Sequence, residues 1–123
     1  MKLTNSQIME RLENLSRFLD RRDIVGYAAA RNTRILTEAV REFTQIQNVL
    51  IRKYGEQLTD NDGNEVDEIA LSFDSDNFPD FIEEIRPYAE IEQEINLIAL
   101  KYEQAIGLLS GTELLALDWM FEE

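Results

Sequence analysis

The chain has 123 residues, 44% of them hydrophobic and 30% charged, with a formal net charge of −13 and neither cysteine nor histidine. That length holds one compact domain, and that composition is globular rather than disordered. The missing residue types remove disulfides, thiolate nucleophiles, zinc–thiolate sites and the usual general base near neutral pH. No apolar leader and no run long enough to cross a bilayer is seen, which reads as a soluble cytoplasmic chain.

The charge is unevenly placed. Residues 1–54 carry ten basic side chains against six acidic ones, and residues 55–123 carry two against nineteen. Such a chain can pair its halves internally or with a second copy, and it is too acidic overall for good non-specific nucleic-acid binding.

In chain order, Thr4 with Gln7 three residues later forms a capping-box pattern that opens a first helix. Ile8, Leu12, Leu15 and Leu19 recur on one face of it, with Met9 and Phe18 beside them. Asp23 is placed to cap a second helix, expected from Ile24 to Tyr54 and roughly 45 Å long at 1.5 Å per residue. Its apolar stripe is Leu36, Ala39, Val40, Phe43, Ile46, Leu50 and Tyr54. Arg52 and Lys53 complement the dipole at its end, and Gly55 is expected as a left-handed cap.

After Gly55 the period changes. A turn at "DNDGN" and a short strand or hairpin over 65–72 are expected, then a loop "DSDNFPD" and a helix beginning near Pro79 and limited by Pro87. Ile91, Gln93, Ile95 and Leu97 alternate with polar residues as an edge strand does, although a helix is also compatible. A connector follows, and Ser110 with Glu113 opens a last helix over about 112–121. The fold class is therefore a predominantly helical α+β single domain over 1–123. It has a basic N-terminal helical hairpin (1–54) and an acidic mixed portion (55–123) holding a small β element and short C-terminal helices. Ile8, Leu12, Leu15, Leu36, Val40, Phe43, Leu50, Ile95, Leu97, Leu114, Leu117 and Trp119 are expected to lead the core.

Four features are candidate sites. With Gly63 at position 6 of a calcium loop, Asp60 and Asp62 fall at positions 3 and 5, but Leu58 and Ile69 occupy the two ends and cannot ligate. The turn therefore reads as a solvated corner. The run Asp74, Asp76, Asp80, Glu83 and Glu84 is either a partner-binding patch or a solvated helix start favoured by the dipole. Arg31, Arg34 and Arg41, with Arg21 and Arg22 before them, are either a phosphate strip lacking aromatic neighbours or partners for the acidic portion. Trp119, Met120 and Phe121 either dock into the core or form an oligomer contact. No catalytic, cofactor-binding or metal-binding motif is present.

The order of "MKLTNSQIMERLENL", "YAAARNTRILTEAVREFTQIQNVLIRKYGE", "DNDGN", "AEIEQEINLIAL" and "LSGTELLALDWMFEE" resembles a family of small phage- and prophage-encoded proteins of unknown function. The resemblance implies a mobile-element origin and a location in the host cytoplasm, and it brings no functional residues with it. The leading expectation is a non-enzymatic accessory protein, without cofactor, that binds another protein. Its acidic surface would inhibit a host defence or nucleic-acid-processing factor. The alternatives are a self-associating structural or assembly protein, and a small-ligand-binding protein.

Overall fold

The computed structural model describes residues 1–59 and 61–122, with the side chains of 59 and 65–68 outside the description. In order, the elements are β1 (Lys2–Thr4), α1 (Asn5–Ser16), α2 (Ile24–Ala39), α3 (Arg41–Tyr54), β2 (Glu56–Thr59), β3 (Glu65–Ala70), α4 (Phe78–Ala89), β4 (Glu92–Glu94), β5 (Leu100–Lys101), α5 (Tyr102–Ala105), α6 (Gly111–Ala116), a 3-10 turn (Asp118–Met120) and β6 (Phe121–Glu122). Helix dominates and the sheets are two-stranded, so the predominantly helical α+β class holds. The chain forms two compact units: Met1–Val40 with the chain from Glu92 onward, and Arg41–Ile91.

In the first unit, α1 and α2 pack as a hairpin whose ends are fixed by the expected caps. The Thr4 hydroxyl accepts from Gln7 N–H at 3.1 Å while the Gln7 side chain accepts from Thr4 N–H at 2.9 Å. The Asp23 carboxylate accepts from Gly26 N–H at 3.1 Å. Ile8, Leu15, Val25, Ala28, Ala29, Leu36 and Leu117 are completely buried. Burial of each large apolar side chain contributes about 1.5–3 kcal/mol against the entropy of ordering the chain. β1 pairs antiparallel with β4, setting Leu3 opposite Gln93, and β5 pairs in parallel with β6.

The single long helix expected over Ile24–Tyr54 is two helices, separated at Val40 (φ −104°, ψ 12°). The cause lies in β4. The Gln93 side-chain amide donates to the Ala39 carbonyl at 2.8 Å and to Asn5 Oδ1 at 2.7 Å. In a continuous helix that carbonyl would accept from Phe43 N–H, and an inserted side chain breaks the ladder there. The segment after β4 is irregular rather than a full strand. Completely buried Asn32 pins it, donating to Ile98 C=O at 2.9 Å and accepting from Ile98 N–H at 2.7 Å.

Two glycines are required by close approach. A Cβ on Gly26 would overlap the Arg21 carbonyl oxygen and lie 2.8 Å from its carbon. A Cβ on Gly55 would lie 2.5 Å from Ile51 O and 2.7 Å from Ile69 Cγ2. Gly55 is thus not the left-handed cap the sequence indicated: positive φ occurs at Gly63 and Gly107. In the second unit, α3 packs on α4 and the β2–β3 hairpin follows α3. Phe43, Leu50, Phe81 and Ile85 are buried in its elements. Pro87 sits in the last turn of α4.

The last helix is shorter than expected. The Ser110–Glu113 capping box forms, but α6 ends at Ala116 and the chain passes through the 3-10 turn into β6. Eight of the twelve expected core residues are buried, and Leu12, Leu97, Leu114 and Trp119 are half-buried.

Candidate functional site

The acidic run lies in the second unit, on the loop before α4 and on its first two turns. The loop is wound by successive turns, with Ser75 N–H donating to Ser72 C=O and Phe78 N–H to Ser75 C=O, each at 3.1 Å. The hydroxyls of Ser72 and Ser75 accept from the backbone of Asp74 and Asn77. This winding leaves Asp74 and Asp76 exposed, and Asp80 is exposed in the first turn of α4. None of the three makes an ion pair among the described residues. Phe73 precedes Asp74 in this loop and is 84% exposed, its ring edge-on to Phe78 at 4.9 Å, and Phe78 in turn lies 6.0 Å from buried Phe81. Exposure that large for an aromatic ring is a feature of contact surfaces rather than of cores.

The other two acids are engaged. Glu83 lies 3.6 Å from Arg86 one turn on. Glu84 accepts from Tyr54 Oη and, at 3.1 Å, from Lys53 Nζ, so it ties α4 to the end of α3. Asn77 Nδ2 adds a bond to the Tyr54 carbonyl at 3.2 Å. The Tyr54 hydroxyl and then Lys53 hold the Glu84 carboxyl below its ordinary range. The same carboxylate, foremost in each case, raises both Tyr54 and Lys53 above their ordinary values. The five acids therefore separate into three exposed aspartates without ion-pair partners among the described residues and two glutamates with intrachain partners.

The C-terminal aromatics are absorbed within the first unit. Met120 is buried. Trp119 is half-buried, its indole N–H donates to Ala116 C=O at 3.1 Å, and the Arg11 guanidinium lies 4.6 Å over its ring. Phe121 stacks on Tyr102 at 5.1 Å, and Tyr102 Oη donates to Asp118 at 2.7 Å. Burial lowers the Arg11 pKa, while nearby Glu10 opposes that shift.

The arginines also divide. Arg21 clasps Asp23 at 2.7 Å, donates to Leu108 C=O at 2.6 Å and approaches Glu113 at 3.6 Å, which joins the start of α2 to the start of α6. That hydrogen bond raises Arg21 and lowers Asp23, and the Ser110 backbone N–H is the foremost cause of a lowered Glu113. Arg31 and Arg34 are exposed on α2 and pair with no acid among the described residues, so of the two alternatives intrachain pairing does not describe them, whereas Arg41 is engaged. Tyr27, 61% exposed, precedes Arg31 by one turn, so the basic face is not without an aromatic neighbour.

Of the calcium-loop positions, Asp60 lies outside the described residues, and Gly63 adopts a positive φ of 83°, as a tight turn requires. Among the described residues no group of three or more carboxylates is placed to hold a metal ion, and no helix is long and apolar enough to cross a membrane. The surface grooves include one of about 470 Å³ along Lys101, Tyr102, Glu103, Ile106 and Glu122, where Ile106 is 79% exposed. Phe73, Asn32, Gln93 and Val49 carry weight that the sequence did not reveal. Only Phe73 had a local signal, as an apolar residue inside an otherwise acidic loop. The fold and this surface chemistry define a helix-dominated α+β protein with an acidic, aromatic-tipped face. No protein-family model matches the chain, and no curated protein or solved structure matches it either.

Proposed function

We propose that the protein is a non-enzymatic accessory factor of phage or prophage origin. It acts in the host cytoplasm by binding another protein through the face formed by Phe73, Asp74, Asp76 and Asp80. The partner carries a basic surface around an apolar recess, as a host defence or nucleic-acid-processing enzyme does where it meets phosphates. The supporting observation is the exposed Phe73 ring, held by Phe78 and flanked by aspartates without ion-pair partners. An aromatic anchor within a charged rim is how binding energy and steering are commonly divided at protein interfaces. Glu83 and Glu84 fall outside this face because Arg86, Tyr54 and Lys53 occupy them. The absence of histidine and cysteine from the chain is in keeping with a binding role.

The test is quantitative capture from host lysate with the wild type, with Phe73→Ala, and with the triple variant Asp74→Asn, Asp76→Asn, Asp80→Asn. Binding of the captured partner is then measured against salt. The expected result is a loss of about 10-fold or more for Phe73→Ala, the range of an interfacial hot spot. The triple variant is expected to slow association and flatten the salt dependence. A partner that binds all three proteins alike would overturn the assignment of this face.

A further inference from the structure

The exposed face of α3 carries an arrangement that its own unit does not use. At helical spacing it presents Glu42, Gln45, Ile46, Val49 and Arg52 along one stripe. Val49 is 64% exposed, and Ile46 is half-buried beside it. With Glu42, Gln45 and Leu50 they line an open groove of about 380 Å³. Glu42 and Arg52, at opposite ends of the stripe, are both exposed and without ion-pair partners among the described residues. The helix dipole accounts for an acid in the first turn and a base in the last. It does not account for an exposed valine midway between them, on the same face.

We propose that this stripe is a self-complementary docking face for a second copy of the chain, with the two α3 helices packed antiparallel about a two-fold axis. The charges choose the direction. In a parallel pair Glu42 would face Glu42 and Arg52 would face Arg52, so both ends repel. In the antiparallel pair each Glu42 faces the partner's Arg52, and the two-fold axis creates that contact twice. The register follows from the sequence: with the axis near residue 47, Glu42 lies against Arg52 of the other copy and Gln45 against its Val49, with Ile46 alongside. Glu42 and Arg52 are then roughly 15 Å apart along each helix at 1.5 Å per residue, which matches acid to base at both ends. Helices packed through side chains of this size approach to about 8–10 Å. Lys53, the residue after Arg52, is paired with Glu84 in its own chain and is not required for the basic end. Two apolar side chains per copy make an interface below the standard size, so the dimer is weak and dependent on concentration. It uses none of the residues Phe73, Asp74, Asp76 and Asp80, so it neither requires nor excludes the binding role proposed above.

Sedimentation equilibrium across the micromolar-to-millimolar range tests this with the full chain. The wild type is expected to self-associate, and Val49→Lys is expected to remain monomeric. Glu42→Arg alone and Arg52→Glu alone are each expected to be monomeric, because each sets like charges together at both ends. An equimolar mixture of those two variants is expected to dimerise, because the arginines of one then face the glutamates of the other. That rescue in the mixture cannot come from misfolding of either variant. A wild type that stays monomeric throughout, a Val49→Lys protein that associates as the wild type does, or a mixture no more associated than its components would each overturn the proposal.

Discussion

Asn32 offers the sharpest test of how the first unit is held together. Its side chain is completely buried and satisfies both backbone groups of Ile98, donating at 2.9 Å and accepting at 2.7 Å. Asn32→Leu keeps the branched side-chain shape with somewhat larger groups, but leaves an N–H and a C=O of Ile98 without their partner at a part-buried position. Each unsatisfied group costs about 1–3 kcal/mol, so a loss of about 3 kcal/mol is expected, enough to lower Tm by roughly 10 °C in a chain of this size. Trp119 is the only tryptophan and lies in the same unit, so its fluorescence in urea reports the relevant unfolding. Asn32→Asp adds a test of chemistry. A protonated carboxyl can donate to Ile98 C=O and accept from Ile98 N–H as the amide does, whereas a carboxylate cannot donate and is penalised by burial. Its folded pKa is therefore raised above the unfolded value. The variant should approach the wild type below about pH 4 and lose about 1.4 kcal/mol per pH unit above that, until the buried group ionises or the unit unfolds. A Leu variant within about 1 kcal/mol of the wild type, or an Asp variant whose deficit does not change with pH, would refute the reasoning.

Gly26→Ala should destabilise by about 1–3 kcal/mol in urea titration although alanine favours helix, because the new Cβ meets the Arg21 backbone carbonyl, which cannot yield. Gly111→Ala, where a Cβ meets nothing within 4 Å, should be neutral or gain up to about 1 kcal/mol. A lowered Glu84 pKa means that its clamp on Tyr54 and Lys53 contributes stability above the ordinary carboxylate range and loses it as pH falls through the folded value. Melting curves of the wild type and Glu84→Gln should therefore converge under acid. Tyr54 and Lys53 are raised, so their contribution is present at neutral pH and lost as pH rises through their folded values, giving a second convergence under alkali. A gap that is constant across pH would show that Glu84 does not act through its charge.

What could be read from the sequence was what neighbours along the chain determine. Three helix starts were legible because the groups that satisfy them lie within three residues: Thr4 with Gln7, Asp23 with Gly26, and Ser110 with Glu113. The break at Val40 was not legible, because the amide that takes the Ala39 carbonyl arrives from Gln93 on another element. The needs of Gly26 and Gly55 were likewise hidden. One answers to the Arg21 carbonyl just beyond the helix, and the other to the returning strand at Ile69. The charge pattern changed most. The switch from a basic to an acidic half at residue 54 does not mark a boundary in space, since compact units form at 40/41 and 91/92. The first unit then holds eight basic against twelve acidic residues and the second four against thirteen. Both units are acidic, and the pairing of basic-half with acidic-half residues that the sequence invited occurs inside each of them: Arg21 with Glu113 in the first and Lys53 with Glu84 in the second. That change makes the local distribution decisive. Arg31 and Arg34 remain unpaired on α2 among the described residues, while Glu84 is paired by Lys53 and hydrogen-bonded by Tyr54, and Asp74, Asp76 and Asp80 have no ion-pair partner there. A count of acids weighs all five residues of the run equally. Their neighbours separate the two that hold α4 to α3 from the three that are free, with Phe73, to meet another molecule.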